Sequence, residues 1–159
     1  MSTRSTVVPV HASIVVDAPI DRAFDVFTAD MGSWWPESNH ILQGELAEMV
    51  FEPRVGGSVY DRAVDGSVCR WARVLAYEPP DRVVFSWDIT LEWAIESDPE
   101  RCSEVEIQFI AETPTRTRVE LAHRGLERHG DGWESMRAAV DSDGGWRGGL
   151  EAFARRLAG

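Results

Sequence analysis

Cysteine is scarce: Cys69 and Cys102 are the only two in 159 residues, too few for a disulfide framework. A reduced, cytoplasmic chain is expected. Long apolar runs are missing too. No stretch approaches the roughly 18 residues that signal a spanning helix, and the opening MSTRSTVVPVH has no apolar signal core, so neither membrane insertion nor secretion is expected. Positive charge is in short supply, since 16 basic against 27 acidic residues leave a net charge of −11. That field repels phosphate backbones and anionic headgroups, which argues against nucleic acid and membrane surfaces as partners. The sequence motifs of several catalytic classes are absent as well. There is no GxSxG elbow, and neither cysteine has a histidine beside it. GxGxxG and GxxxxGK are missing, as are HxxxH and CxxC. No metal and no cofactor are expected.

What the chain has instead is tryptophan. There are seven, Trp34, Trp35, Trp71, Trp87, Trp93, Trp133 and Trp146. Two of them sit side by side in DMGSWWPESNH (30–40), an otherwise polar connection interrupted by Gly32 and Pro36. Each indole buries about 150–250 Å² when enclosed. So many large rings suit either a thick core or a core with a ring-lined hole.

Hydrophobic periodicity orders the elements. VVPVHASIVV (7–16) alternates as a strand, with Pro9 pointing to an edge position. Ile20, Ala23, Phe24 and Phe27 then fall at i, i+3, i+4 and i+7, the stripe of a short helix. From 46 to 121 the pattern is of antiparallel strands: 46–53, 58–64, 67–77, 82–89, 103–112 and 117–124. Asp65-Gly66 marks a two-residue hairpin, and Gly56-Gly57 a turn or bulge. TLEWAIESDPER (90–101) is a long acidic connection. Trp133, Met136 and Val140 fit a short helix. Trp146, Leu150, Phe153 and Leu157 step by 4, 3 and 4, a helix with one apolar face that Asp143 is expected to cap. A run of strands and a one-faced helix bury each other only when the helix lies across a curved sheet, an α+β arrangement in one domain.

The succession IVVDAPIDRAFDVFT, WWP (34–36), EPRVGGSVYDR (52–62), RVLAYEPPDRVVFSW (73–87), SEVEIQF (103–109), TRVELAHRG (117–125) and GGWRGGLEAFARRL (144–157) resembles the START-like (SRPBCC) superfamily. Within it, the chain is similar to the branch named after homologues of the activator of the Hsp-ninety ATPase. The resemblance implies a helix-grip fold: a curved antiparallel sheet of about six or seven strands wrapped around a long C-terminal helix, with two short helices after the first strand. It also implies an elongated apolar cavity between sheet and helix. Relatives bind lipids, hormones or polyketides, and a minority are cyclases or dehydratases.

On that basis a small, largely apolar or aromatic molecule is the expected partner, with cavity candidates Trp34, Trp35, His40, Met49, Phe51, Tyr60, Trp71, Phe85, Trp87, Trp93, His123, Trp146, Leu150 and Phe153. Trp35 and Trp87 are pocket residues from the mouth loop and a strand end, Trp93 a lid, and Trp146, Leu150 and Phe153 mainly core. His123 continues the apolar side of its strand through Val119 and Leu121, where a buried imidazole needs hydrogen-bond partners. Tyr60, Arg62, Arg70, Arg73, Glu48 and Asp88 lie on strands whose register the pattern leaves open, and outward is the expected orientation. An enzyme of the cyclase or hydrolase sort, with His123 or an inward carboxylate as acid–base, is a second reading. A module acting on a chaperone ATPase is a third. A homodimer partner closing the groove stays open as an arrangement.

Overall fold

The computed structural model describes residues 7–36 and 39–158. Seven strands, β1 (Val10–Val16), β2 (Leu46–Phe51), β3 (Ser58–Ala63), β4 (Val68–Glu78), β5 (Arg82–Trp87), β6 (Ser103–Thr113) and β7 (Arg116–Arg124), form one antiparallel sheet in the order β1-β7-β6-β5-β4-β3-β2. Every neighbour from β2 to β7 is reached by a hairpin or a longer loop, while β1 crosses to pair with β7, Val10 opposite His123 and Val16 opposite Thr117. Three α-helices are among the described residues, α1 (Ile20–Phe27), α2 (Trp133–Val140) and α3 (Gly148–Ala158), with a short 3-10 turn (Met31–Ser33) after α1. None is long and apolar enough to cross a membrane.

Alternation carries the sheet. Val105, Ile107 and Phe109 of β6, with Thr117, Val119, Leu121 and His123 of β7, all point into the concave face and are buried. Two irregularities on β4 break its period. Val59 pairs with Ala72 but Tyr60 with Arg70, so Trp71 is the extra residue and both Trp71 and Ala72 are buried. A second irregularity at Leu75 separates Val74 from Ala76 against β5.

α1 presents Ala23, Phe24, Val26 and Phe27 to the sheet. Thr28 closes its last turn by donating its hydroxyl to the Phe24 carbonyl at 2.8 Å. α3 lays Gly149, Leu150, Phe153 and Leu157 over the same face. Where the two helices meet, the groove is solid. Phe27 contacts Phe109 and Phe153 edge-on, at ring separations of 5.6 and 5.2 Å, and Trp34 meets Phe153 edge-on at 5.4 Å. The Trp34 indole N–H donates to the Val26 carbonyl at 2.9 Å. Its place in the sequence is a loop, but its ring is core.

The end of the chain differs from the periodic expectation. The stripe Trp146–Leu157 is not one helix. Asp143–Arg147 forms a wide turn broken at Gly145 (φ −96°, ψ −131°), and α3 starts only at Gly148. Asp143 does not cap the helix; it is exposed and pairs with Arg147 at 3.5 Å. The break has a steric cause. Gly145 passes so close to the end of α2 that a Cβ there would stand 2.3 Å from the Val140 carbonyl oxygen.

Candidate functional site

At the end of the groove away from the α1–α3 contact, the grip stays open. A cavity of about 610 Å³ lies between three segments distant in sequence. The mouth loop contributes Trp35, Pro36 and Asn39 through Gln43; the end of β5 and its connection contribute Trp87, Glu92 and Trp93; the α2–α3 junction contributes Ala139, Val140, Ser142, Gly144, Gly145, Trp146 and Gly149. Asn39 ties the first segment to the third, its side-chain amide donating to the Gly144 carbonyl at 3.2 Å.

Four of the wall residues are indoles, and three of them brace one another. Trp146 meets Trp35 edge-on at 5.9 Å and Trp87 at 5.5 Å. Trp71 backs both from behind, 5.1 Å from Trp35 and 5.7 Å from Trp87. Trp93 stands apart. It is 45% exposed and its backbone is left-handed, φ +62°, in a tight turn where its N–H reaches the Thr90 carbonyl at 2.9 Å. Such a φ is uncommon for a bulky side chain. Here it turns the indole onto the rim of the cavity.

Two polar features lie beside this chamber. The Trp87 Nε1 donor is buried and has no hydrogen-bond partner among the described residues, an arrangement that costs free energy unless something accepts from it. His40, in the wall, hydrogen-bonds through Nδ1 to Oδ2 of Asp61 at 2.7 Å. The His40 side chain is 11% exposed and that of Asp61 1%. Asp61 faces inward because it sits between Val59 and Ala63 on the buried side of β3; its Oδ1 is also buried and without a partner among the described residues. Sequence reasoning missed Asp61 and singled out its neighbours, although Val59-x-Asp61-x-Ala63 carried the signal in the two-residue period.

Behind the indole wall runs a row of buried polar groups. Trp146 Nε1 donates to His123 Nδ1 at 3.0 Å. His123 Nε2 lies 2.7 Å from Ser103 Oγ, and that oxygen lies 2.7 Å from His129 Nε2. Because an indole only donates, His123 Nδ1 must be the acceptor, so the imidazole proton is on Nε2 and goes to Ser103. The serine hydroxyl then donates to His129. Burial, with the nearby His129 adding to it, pushes His123 down to about 3, so the ring stays neutral.

The predicted site residues divide accordingly. Trp35, His40, Trp87, Trp93 and Trp146 line the cavity. Trp34, Phe51, Trp71, Phe85, Leu150 and Phe153 are buried in the core beside or beyond it. Met49 packs against that core from β2. His123 is wholly enclosed and both ring nitrogens are engaged by protein groups, which removes it as an acid–base toward a guest. Tyr60 points to the convex side, where Arg62 and Arg70 cover its ring at 5.7 and 5.8 Å; Arg62 also pairs with Glu48 there. Arg73 grips Asp88 through two hydrogen bonds of 2.9 and 3.0 Å, also away from the cavity. Among the described residues no three His, Cys, Asp or Glu side chains converge as a metal set would.

Comparison with known proteins agrees with this architecture. The model of the family described as Activator of Hsp90 ATPase homolog 1-like protein matches residues 17–158. Among solved structures, an anthrahydroquino-gamma-pyrone synthase, Txn09, complexed with SUM, is 39% identical, with 94% of this chain and 96% of that one covered and a TM-score of 0.66. CalC, a self-sacrificing resistance protein from Micromonospora echinospora, is 23% identical over 94% of this chain and 93% of its own, TM-score 0.64. Protein NE0264 from Nitrosomonas europaea, at 11% identity, covers 99% of this chain and 98% of its own with a TM-score of 0.62. No curated protein matches the chain. A seven-stranded curved sheet gripping a C-terminal helix, and a family match over nearly its full length, place this chain in the Activator of Hsp90 ATPase homolog 1-like family of the helix-grip, SRPBCC-type proteins.

Proposed function

We propose that the chain binds a planar, polycyclic aromatic molecule in the chamber at the open end of its grip. The observation that carries this is the wall itself: Trp35, Trp87, Trp93 and Trp146 around about 610 Å³. That volume is in the usual range for a small-molecule site, roughly 300–1,000 Å³. Flat guests gain from several indole faces and edges at once, each aromatic contact adding about 0.5–1.5 kcal/mol beyond simple area burial. The family's SRPBCC, polyketide cyclase-like character supports a small-molecule ligand, and 39% identity to a synthase of an anthrahydroquinone-fused pyrone supports an aromatic polyketide as its class. Two unpaired cysteines accord with a reducing, cytoplasmic setting.

Tryptophan fluorescence tests the proposal directly. Titration with 2-hydroxyanthraquinone should quench emission saturably and raise the melting temperature, and Trp35→Ala should weaken binding at least tenfold. Absence of both quenching and a thermal shift across tricyclic quinones overturns it. A ring-closing enzyme is the second reading, favoured by the same 39% identity and by the His40–Asp61 pair in the wall. Action on a chaperone ATPase draws only on the family's description, and a pull-down that retains no chaperone counts against it.

A further inference from the structure

We infer that His40, backed by Asp61, is a general-base site that takes the proton from a phenolic hydroxyl of the aromatic guest. This rests on the binding proposed above and adds a chemical role to one wall of that chamber.

Asp61 lies on the inward face of β3, almost without exposure, and spends one carboxylate oxygen on His40 Nδ1 at 2.7 Å. A carboxylate accepts, so the imidazole proton is on Nδ1, and Nε2 is left as a lone pair. Nothing among the described residues bonds to Nε2, and His40 is itself part of the cavity wall. Buried polar atoms are normally satisfied. Here the second carboxylate oxygen of Asp61 is buried and without a partner among the described residues, and so is the Trp87 donor across the wall. The chamber therefore offers one basic nitrogen amid aromatic surface. A hydroxylated aromatic molecule presents the complement, an acidic O–H.

Proton transfer balances within this set. The phenolic O–H bond breaks, its proton bonds to His40 Nε2, and the electron pair stays on oxygen as phenolate. The imidazolium so formed keeps its Nδ1–H on Asp61, whose negative charge stabilises it at short range. The proton returns to the guest at the end of the cycle, so neither an oxidant nor a co-reactant is needed. Closure of a ring through that oxygen would need this step first.

Two other ionisable groups border the site. Cys69 of β4 stands opposite Asp61 in register, and burial first, then the Asp61 charge, pushes its thiol up, so it stays neutral. Glu92 lines another part of the cavity.

The test uses the full chain and 2-hydroxyanthraquinone, whose absorption moves to longer wavelength on ionisation. With the complex held at saturation, a pH titration of the absorption should show the bound phenol ionising at least one pH unit, tenfold in proton concentration, below the free dye. His40→Gln should return that midpoint to within about 0.3 units of the free dye, and Asp61→Asn should move it part of the way. His40→Asn replaces the first variant if the first fails to fold. Saturable quenching with an unshifted midpoint in the unaltered protein overturns this inference while leaving the binding intact. A downward shift that survives both His40 variants overturns the assignment to His40. Failure of the dye to quench at all removes both the binding and the base.

Discussion

Trp146 and His123 hold each other in a single protonation state: the indole N–H points at Nδ1 across 3.0 Å, and a proton on that nitrogen would face another N–H. The stability of the fold therefore depends on pH through a residue that no solvent reaches. His123 is lowered from 6.5 to about 3 by burial. His129 is lowered too, by burial first, with the neighbouring Glu96 carboxylate opposing part of the shift.

The sign follows from linkage. Between pH 6.5 and 3 the unfolded chain takes up a proton at His123 that the folded chain refuses, so stability falls as pH falls through that window and is untouched above it. At pH 5, still above the ordinary carboxylate range, the loss from this residue is about 2 kcal/mol. Denaturant midpoints at pH 7 and pH 5 should differ accordingly, and the difference should shrink in His123→Gln, which has nothing to titrate. Equal pH sensitivity in both proteins would mean the ring takes up its proton without unfolding.

Gly144 and Gly145 are adjacent and should respond oppositely to alanine. A Cβ on Gly145 would meet the Val140 carbonyl oxygen at 2.3 Å and that of Ala139 at 2.7 Å, both backbone atoms that cannot step aside. On Gly144 the nearest atom is the Ser142 hydroxyl at 3.9 Å. Gly145→Ala should cost about 1–3 kcal/mol or more and loosen the α2–α3 junction, whereas Gly144→Ala should melt within a degree or two of the parent.

Trp93 occupies a left-handed position at the cavity rim, a conformation that costs an ordinary residue roughly 1–2 kcal/mol and glycine almost nothing. Trp93→Gly removes that strain but adds freedom to the unfolded chain, worth about 0.4–1 kcal/mol. The melting temperature should barely move while affinity for 2-hydroxyanthraquinone drops several-fold. A large fall in melting temperature would show the indole to be part of the core.

Cys102 is buried, and desolvation first, then its hydrogen bond to Asp88, pushes its thiol up to about 12. Alkylation needs the thiolate. Iodoacetamide at pH 8 should leave Cys102 unmodified in the folded protein and label it on addition of denaturant, as intact mass and peptide mapping would report. Rapid labelling of the native chain would mean that this stretch opens locally.

Much of this architecture is legible in the residues. The alternation of Val105, Ile107 and Phe109 and the Ile20–Phe27 stripe each announce their element, and each is found where its period places it. The two-residue hairpin expected at Asp65-Gly66 is a longer turn, in which the Ala63 N–H reaches the Ser67 carbonyl and the Gly66 N–H the Ala63 carbonyl. What the pattern hides is non-local. The bulge at Trp71 turns two consecutive residues inward, which no strict two-residue count along β4 could show. The helix break at Gly145 comes from the packing of one chain segment on another, invisible to a stripe that continues unbroken through Trp146. The pairing of His40 with Asp61 joins a loop to a strand 21 residues on, and only the closed sheet brings them together. Trp34 and Trp35 read alike in sequence, yet one seals the core and its neighbour walls the chamber.

The pairing of β1 with β7 constrains how this protein assembles. Val10 finds its partner only at His123, so the sheet cannot be completed until the ribosome has delivered almost the whole described chain. Until then β6 has a bare edge, and unpaired edges invite association between nascent copies. Folding dominated by such distant contacts is slow compared with that of a helical bundle, and the period of greatest exposure falls just before the last helix emerges to cover the groove.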